Sequence, residues 1–198
     1  MGKILVATNN RGKVREFAEI LGDLRDVLRN PADFGLTLEV AETGRTYAEN
    51  ARLKAAAFAD ASGLIAIGDD SGLEVDALAG APGLYSARYA GSGADDAARR
   101  AKLMQELRRV PEPRPARFRC ALAVARPGGP VELFEGTCEG EIILEERGAN
   151  GFGYDPIFYL PEYRRTLDEL PSDVKNRISH RARAALAALP YLKAILKR

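Results

Sequence analysis

The 198-residue sequence predicts an α/β fold: a mixed β-sheet with flanking helices and two lobes around a cleft. Three observations predict it. In the first half, short apolar runs alternate with stretches of helical period, the pattern of β-α units. A block of strand-like runs follows between residues 116 and 146, with no helix among them. Helix then closes the chain, so the order is β-α, β-α, an all-β insert and helix.

The elements follow in order. "KILVAT" (Lys3 to Thr8) is a short apolar run and reads as a buried strand. "NNRG" interrupts it, and Lys13 opens a helix with Val14, Phe17, Ala18 and Leu21 on one face, closed by Gly22. Residues 23–45 are mixed, and "LTLEVAET" is read as a short strand. "TYAENARLKAAAFADAS" is a strong helix: Thr46 and Glu49 fit a capping box, Tyr47, Ala51, Ala55, Phe58 and Ala59 make the apolar stripe, and Gly63 stops it. "LIAIGDDSG" reads as a second buried strand that ends in acid.

"GAPGLYSARYAG" is a turn-rich loop, and "ADDAARRAKLMQELRRV" is an amphipathic helix whose first residues are acidic, as the helix dipole favours. "PEPRP" is a rigid connector. "ARFRCALAVA", "PGGP" and "VELFEG" read as an antiparallel hairpin, and "TCEGEIILEE" as a third strand. "GANGFGYDPIFYLPE" is a Gly- and Pro-punctuated loop. The last stretch is helical, broken or kinked at Pro190.

Composition narrows the function. Apolar residues at 46% and charged residues at 29% fit one sizeable globular domain over residues 1–198. No apolar run approaches a bilayer span, and the start lacks the basic-then-apolar pattern of a secretory signal. A net charge of +1 argues against a general nucleic-acid binder, so phosphate recognition must come from cations placed locally. Cys120 and Cys138 could face each other across strands, but read more simply as buried thiols in a reducing cytoplasm. Two cysteines and one histidine do not make a Cys/His metal site.

Four stretches carry chemistry. "TNNRGK" (Thr8, Asn9, Asn10, Arg11, Gly12, Lys13) puts side-chain donors and cations at a helix N-terminus, where the free N–H groups and dipole favour anions. It is not a Walker A loop, and taken alone the stretch reads more simply as a capped helix with surface cations. "GDDSG" sets Asp69 and Asp70 directly after an apolar strand; neighbours on a strand point to opposite faces, so one faces the cleft. Such a carboxylate could bind Mg²⁺ or take a proton from water, or simply form an acidic turn. Glu42, Glu49 and Lys54 read singly as solvated charges. "GFGYDP" leaves Phe152 between glycines, an aromatic face suited to stacking a base, with Tyr154 and Asp155 beside it. "KNRISHRA" offers Lys175, His180 and Arg181 for phosphate or carbonyl oxygen.

Together these stretches resemble one family, the inosine/xanthosine triphosphate pyrophosphatases of RdgB type. The resemblance rests on "TNNRGK", "ETGRTYAENARLKA", "DDSGLEVDALAGAPGLYSARYAG", "ARFRCALAV", "GFGYDPIF" and "SDVKNRISHRARA", in the family's order and approximate spacing. It implies Mg²⁺-dependent hydrolysis of ITP/dITP and XTP/dXTP to monophosphate and pyrophosphate, clearing them from the nucleotide pool. It also implies an elongated α/β body with a deep nucleotide-binding cleft, and a homodimer.

Carried over by residue, the resemblance implies that Thr8, Asn9, Asn10, Arg11, Gly12 and Lys13 hold the triphosphate. Asp70 is the general base and a metal ligand, and Glu42 is the second metal ligand. Lys54 touches phosphate and Ser71 contacts the substrate. Phe152, Gly153, Tyr154 and Asp155 cradle the base, Lys175 lies over the nucleotide, and His180 with Arg181 meets the purine edge. Asp69 stays open as an alternative to Asp70 in the base role. On this reading both ends of the chain converge on one anionic ligand, so the local potential is positive while the global charge stays near zero. Two rivals stand beside it. A Maf-like nucleotide pyrophosphatase lacks the "SHR" and "GFGYD" stretches. A non-catalytic nucleotide- or RNA-binding module fits poorly with the near-zero charge and the acidic "DDSG".

Overall fold

The sheet is organised around β1 (Ile4–Val6), an apolar triplet that pairs in parallel with β2 (Leu28–Arg29) on one side and β3 (Ile65–Val75) on the other. The computed structural model describes residues 2–8, 10–149 and 151–197. The other strands are β4 (Pro115–Ala125), β5 (Val131–Ile142), β6 (Phe158–Leu160) and β7 (Arg165–Thr166). The seven run in the order β2-β1-β3-β4-β5-β6-β7, with β6 antiparallel to both β5 and β7, so the sheet is mixed as expected. Helices α1 (Arg11–Ile20), α2 (Tyr47–Ser62), α3 (Asp96–Leu107), α4 (Ser172–Ile178) and α5 (His180–Leu196) complete the α/β fold.

The chain forms two compact units. The first holds Met1–Ser71, Cys120–Gly136 and Ser179–Arg198; the second holds Gly72–Arg119 and Thr137–Ile178. In the first, strand alternation sorts residues by size. Ile4, Val6, Ile67, Leu122 and Val124 pack on one face with Phe17 of α1 and Leu192 of α5. Leu5, Ala66, Ala121 and Ala123 pack on the other with Ala51, Ala55, Phe58 and Ala59 of α2. Burial on both faces explains why these strands read as continuous apolar runs. The alanine-lined face lets α2 come close: a Cβ on Gly68 would sit 2.7 Å from the backbone nitrogen of Ala55 and 2.9 Å from the carbonyl oxygen of Ala51. That approach, one residue before Asp69, brings α2 within reach of the acidic pair. The second unit packs Leu73, Leu103, Leu107, Phe118, Ile142, Ile157 and Phe158 into its own core.

Five local readings of the sequence change. The first helix starts at Arg11, two residues earlier than expected, because the Asn10 side chain accepts from the N–H groups of Gly12 and Lys13 and caps it. "LTLEVAET" is not a strand; its alternating Leu36, Leu38 and Val40 pack as partly buried residues on the α2-facing core, and the extra strand is β2. β3 does not end at the acids but continues to Val75. "VELFEG" and "TCEGEI" are one twelve-residue strand, β5. The last helix is two: α4 and α5 are divided at Ser179, whose hydroxyl accepts from the Ala182 N–H, while α5 runs through Pro190. Cys120 and Cys138 are both buried thiols and not a disulfide, and burial pushes the Cys120 thiol up to about 12, with Asp69 adding to the rise.

Candidate functional site

In the first unit, β1, the N-terminus of α1, one face of α2 and the middle of β3 meet at the acidic pair. Thr8 follows β1 and its hydroxyl accepts from the Asn10 N–H at 3.1 Å. Lys13, on the first turn of α1, places its Nζ 3.0 and 2.9 Å from the two oxygens of Asp69. From the start of α5, Arg181 reaches Asp69 Oδ2 with Nε at 3.3 Å and Nη2 at 3.2 Å, Glu16 Oε2 with Nη1 at 2.7 Å, and Ser71 Oγ at 3.3 Å. Asp69, Glu16, His180 and Arg181 are all buried.

Asp70 points the other way, as neighbours on a strand must. Its Oδ2 accepts from Asn50 Nδ2 at 2.9 Å, and its Oδ1 accepts from the Ser71 N–H at 3.1 Å. Lys54, one turn along α2 from Asn50, lies 3.7 Å from Asp70 Oδ1 and 2.8 Å from Glu42 Oε1.

These contacts divide the two carboxylates chemically. Burial alone would raise the Asp69 carboxyl, but the cations of Lys13, Arg181 and Lys54 outweigh it and hold Asp69 well below the usual carboxylate range. At Asp70 burial prevails: it raises the carboxyl against the opposing pull of Lys54 and the Asn50 hydrogen bond, and the nearby Glu42 charge adds to the rise. Burial lowers Lys54, yet Asp69, Asp70 and Glu42 more than reverse that, and its ammonium is held above the ordinary lysine range.

A cavity of about 400 Å³ opens beside this cluster. Thr8, Asn10, Lys13, Glu42, Lys54 and Asp69 line it with polar atoms, and Leu38, Val40 and Phe58 with apolar ones. Asp70 is not among the lining residues and meets the cavity's cations through Lys54.

Among the described side chains of this cluster, cations are matched by acids. Lys13, Lys54 and Arg181 face Glu16, Glu42, Asp69 and Asp70, so each of these cations already has a carboxylate partner. The donors suit a hard divalent cation. The oxygens of Glu42 and Asp70 already share one cationic group, the Lys54 ammonium, and Mg²⁺ is commonly held by one or two carboxylates together with substrate phosphates. Among the described residues, no cluster of three or more His, Cys, Asp or Glu forms a ready-made metal cage.

The second unit carries the "GFGYD" loop. Phe152 is 43% exposed, and Lys175 Nζ lies 5.0 Å from its ring centroid and 2.6 Å from Asp155 Oδ2. The loop is clamped at Gly153, whose N–H donates to Asp96 and whose carbonyl accepts from Arg100, both on α3. Gly153 has φ +63°, a conformation glycine adopts without strain. Tyr154 is buried and its hydroxyl donates to the Ser86 carbonyl at 2.9 Å, so it anchors the loop from below.

In the first unit the structure therefore brings together Thr8, Asn10, Lys13, Glu42, Lys54, Asp70, Ser71 and Arg181. In the second it brings together Phe152, Gly153, Tyr154, Asp155 and Lys175. Gly12 takes part through its N–H, bonded to the Asn10 cap, and His180 opens α5 beside Arg181. Asn9 and the side chain of Arg11 lie outside the described residues. Sequence reading overlooked Asn50, Glu16, Asp96 and Arg100. Asn50 had a signal: it is a polar residue on the buried stripe of α2, beside Ala51. Glu16 had none, because its partner is 165 residues away.

By fold and site this is an α/β protein with a mixed seven-stranded sheet and a carboxylate–cation cluster midway along a central strand. The model of the Ham1 family matches residues 4–191, and the chain belongs to the Ham1 family. The dITP/XTP pyrophosphatase of Desulforamulus reducens is 51% identical over 191 residues, 96% of this chain and 95% of that protein. That of Geobacillus kaustophilus is 54% identical over 185 residues, 93% and 91% of the two chains. The Staphylococcus aureus Ham1 protein has a TM-score of 0.85 at 40% identity, covering 98% of this chain and 99% of its own. A HAM1 protein from Coxiella burnetii has a TM-score of 0.84 at 41% identity, covering 100% and 99%. No described helix is long and apolar enough to cross a membrane.

Proposed function

We propose that this protein hydrolyses ITP/dITP and XTP/dXTP to the monophosphate and pyrophosphate, with Mg²⁺, and so clears them from the nucleotide pool. Relatives named as dITP/XTP pyrophosphatases, more than half identical over nearly the whole chain, support the substrate. The observation that carries the chemistry is the convergence of Asp70 and Glu42 on the Lys54 ammonium beside a cavity.

Asp70 is the base. It takes a proton from the attacking water while that oxygen bonds to the α-phosphorus and the α–β bridging bond breaks, with the electron pair leaving on pyrophosphate. A base needs an oxygen able to take the proton, and Asp70 Oδ1 accepts from one backbone N–H with the Lys54 ammonium at 3.7 Å. That favours Asp70 over Asp69, whose oxygens are occupied by Lys13 and Arg181. Lys13 and Lys54 balance the charge of the phosphate chain, with Thr8, Asn9, Asn10, Arg11, Gly12 and Ser71 around it.

Glu42 and Asp70 would hold Mg²⁺, which when bound neutralises phosphoryl oxygens and lowers the pKa of coordinated water. Charge supports it. Among the described residues of that cluster, Lys13, Lys54 and Arg181 each already have a carboxylate partner, so a divalent cation would help to balance a triphosphate there.

Phe152 stacks the base and Lys175 lies over the nucleotide. Asp155, His180 and Arg181 read the keto-purine edge, where O6 accepts and N1–H donates; adenine reverses both and would leave buried groups unpaired. The protein acts as a cytoplasmic homodimer, with residues 1–198 as one domain. Pyrophosphate release from ITP, XTP, GTP and ATP tests the activity, with ITP and XTP turned over and ATP refused. Equal turnover of all four, or of none, overturns it.

A further inference from the structure

Asn50 sits on α2 with 3% of its surface exposed, facing β3. A buried amide is costly unless its groups are paired, and both ends of this one are used. Its Nδ2 donates to Asp70 Oδ2 at 2.9 Å, and its Oδ1 accepts from the Gly44 N–H at 2.8 Å. The partners fix the amide's orientation, because a carboxylate only accepts and a backbone N–H only donates. Gly44 lies two residues after Glu42. A Cβ there would fall 2.6 Å from Asn50 Oδ1 and 2.7 Å from Glu49 Cβ, so glycine is what lets the loop reach the amide. One rigid side chain thus joins the segment carrying Glu42 to the carboxylate of Asp70.

We propose that Asn50 is a positioning residue: its amide pins Asp70 Oδ2, turns Oδ1 toward Lys54, and locks the Glu42 loop in register with it. This rests on the reading of Asp70 as the base. With Oδ2 held, Oδ1 is the oxygen presented to Lys54 at 3.7 Å. Asn50 does not line the cavity, so its loss acts through Asp70 and the Glu42 segment and removes no direct contact to a ligand there.

The test is a mutant cycle with ITP: Asn50→Ala, Asn50→Asp, Asp70→Asn, and Asn50→Ala combined with Asp70→Asn, each followed by kcat, KM and thermal melting. Asn50→Asp keeps the volume and the acceptor for Gly44 but replaces the amide donor with an acid that repels Asp70 or must share a proton with it, so it carries the test should the alanine variant fail to fold. Loss of a supporting partner of this kind costs ~10–100-fold. That loss is expected in kcat for both Asn50 variants, with KM within about threefold because uniform binding is untouched. Residues acting through one another are non-additive, so in the Asp70→Asn background Asn50→Ala should cost less than about threefold more. A full, additive loss in the double variant, a loss confined to KM, or wild-type kcat in Asn50→Asp overturns the positioning role. Near-normal kcat in Asp70→Asn instead overturns the base assignment, and the inference with it.

Discussion

The guanidinium of Arg181 lies against the carboxylate of Asp69, with Nη2 3.2 Å and Nε 3.3 Å from Oδ2, although 112 residues separate them in the chain. The same guanidinium bonds Glu16 at 2.7 Å, so a single arginine at the start of α5 ties β3 to α1 inside the first unit.

Removing that arginine leaves two buried carboxylates, Asp69 and Glu16, with less compensation. Breaking a buried pair from one side costs about 3–5 kcal/mol. Arg181→Leu should lose about that much in urea unfolding. Arg181→Lys should recover only part of it, because a point ammonium cannot serve three partners with the directed N–H groups of the fork. A loss under about 1 kcal/mol in Arg181→Leu, the scale of an exposed pair, would show that the network contributes little.

The Asp69 carboxyl predicts the pH dependence of stability. Its folded pKa lies well below the value near 3.9 of an unfolded aspartate. A depressed carboxyl contributes stability that is fully present above the unfolded value and is lost as pH falls toward the folded one. The contribution is therefore constant from neutral pH down to about 5 and declines steeply below about 4. Asp69→Asn should be less stable at neutral pH and show a shallower acid decline. Parallel melting-versus-pH curves for the two proteins would remove Asp69 from this role.

Asp70 predicts a separation of activity from stability. Burial already disfavours its charge, so Asp70→Asn gives up little that holds the fold together. Turnover of ITP should fall ~10²–10⁴-fold, the span for lost general-base catalysis, while the melting temperature stays close to wild type. Undiminished turnover would refute the assignment.

Phe152 predicts an effect on binding. The residue is 43% exposed and belongs to none of the three apolar clusters, so Phe152→Leu should change stability by less than about 0.5 kcal/mol. Base stacking on an aromatic ring contributes about 1–3 kcal/mol, so KM for ITP should rise roughly tenfold or more. Unchanged KM would exclude stacking at this ring.

Where a signal was contiguous, the sequence carried it. α2 was readable from end to end because its cap (Thr46), stripe and stop (Gly63, φ +70°) follow one another along the chain. The expected capping box is offset by one residue: the Glu49 carboxylate accepts from Arg45 and not from Thr46. β5 was misread because Gly136 looks like a break. The glycine is there for packing: a Cβ would sit 2.1 Å from the His180 carbonyl oxygen, where the first turn of α5 presses on the strand. At the site, both aspartates stood out as adjacent acids after an apolar run. Their division of labour did not, because it depends on Lys13 and Arg181 approaching one face of β3 and Asn50 and Lys54 the other.

The closed ion pairs of the first unit also determine what the protein ignores. Lys13, Lys54 and Arg181 each have a resident acid, so among the described residues of that cluster a bare polyanion such as an RNA backbone or free phosphate meets only cations that are already paired. A ligand that arrives with its own divalent counter-ion can trade partners with these pairs and keep the cluster balanced. On the proposed reading, these acids make the cluster selective, favouring an anion that comes in the company of a metal.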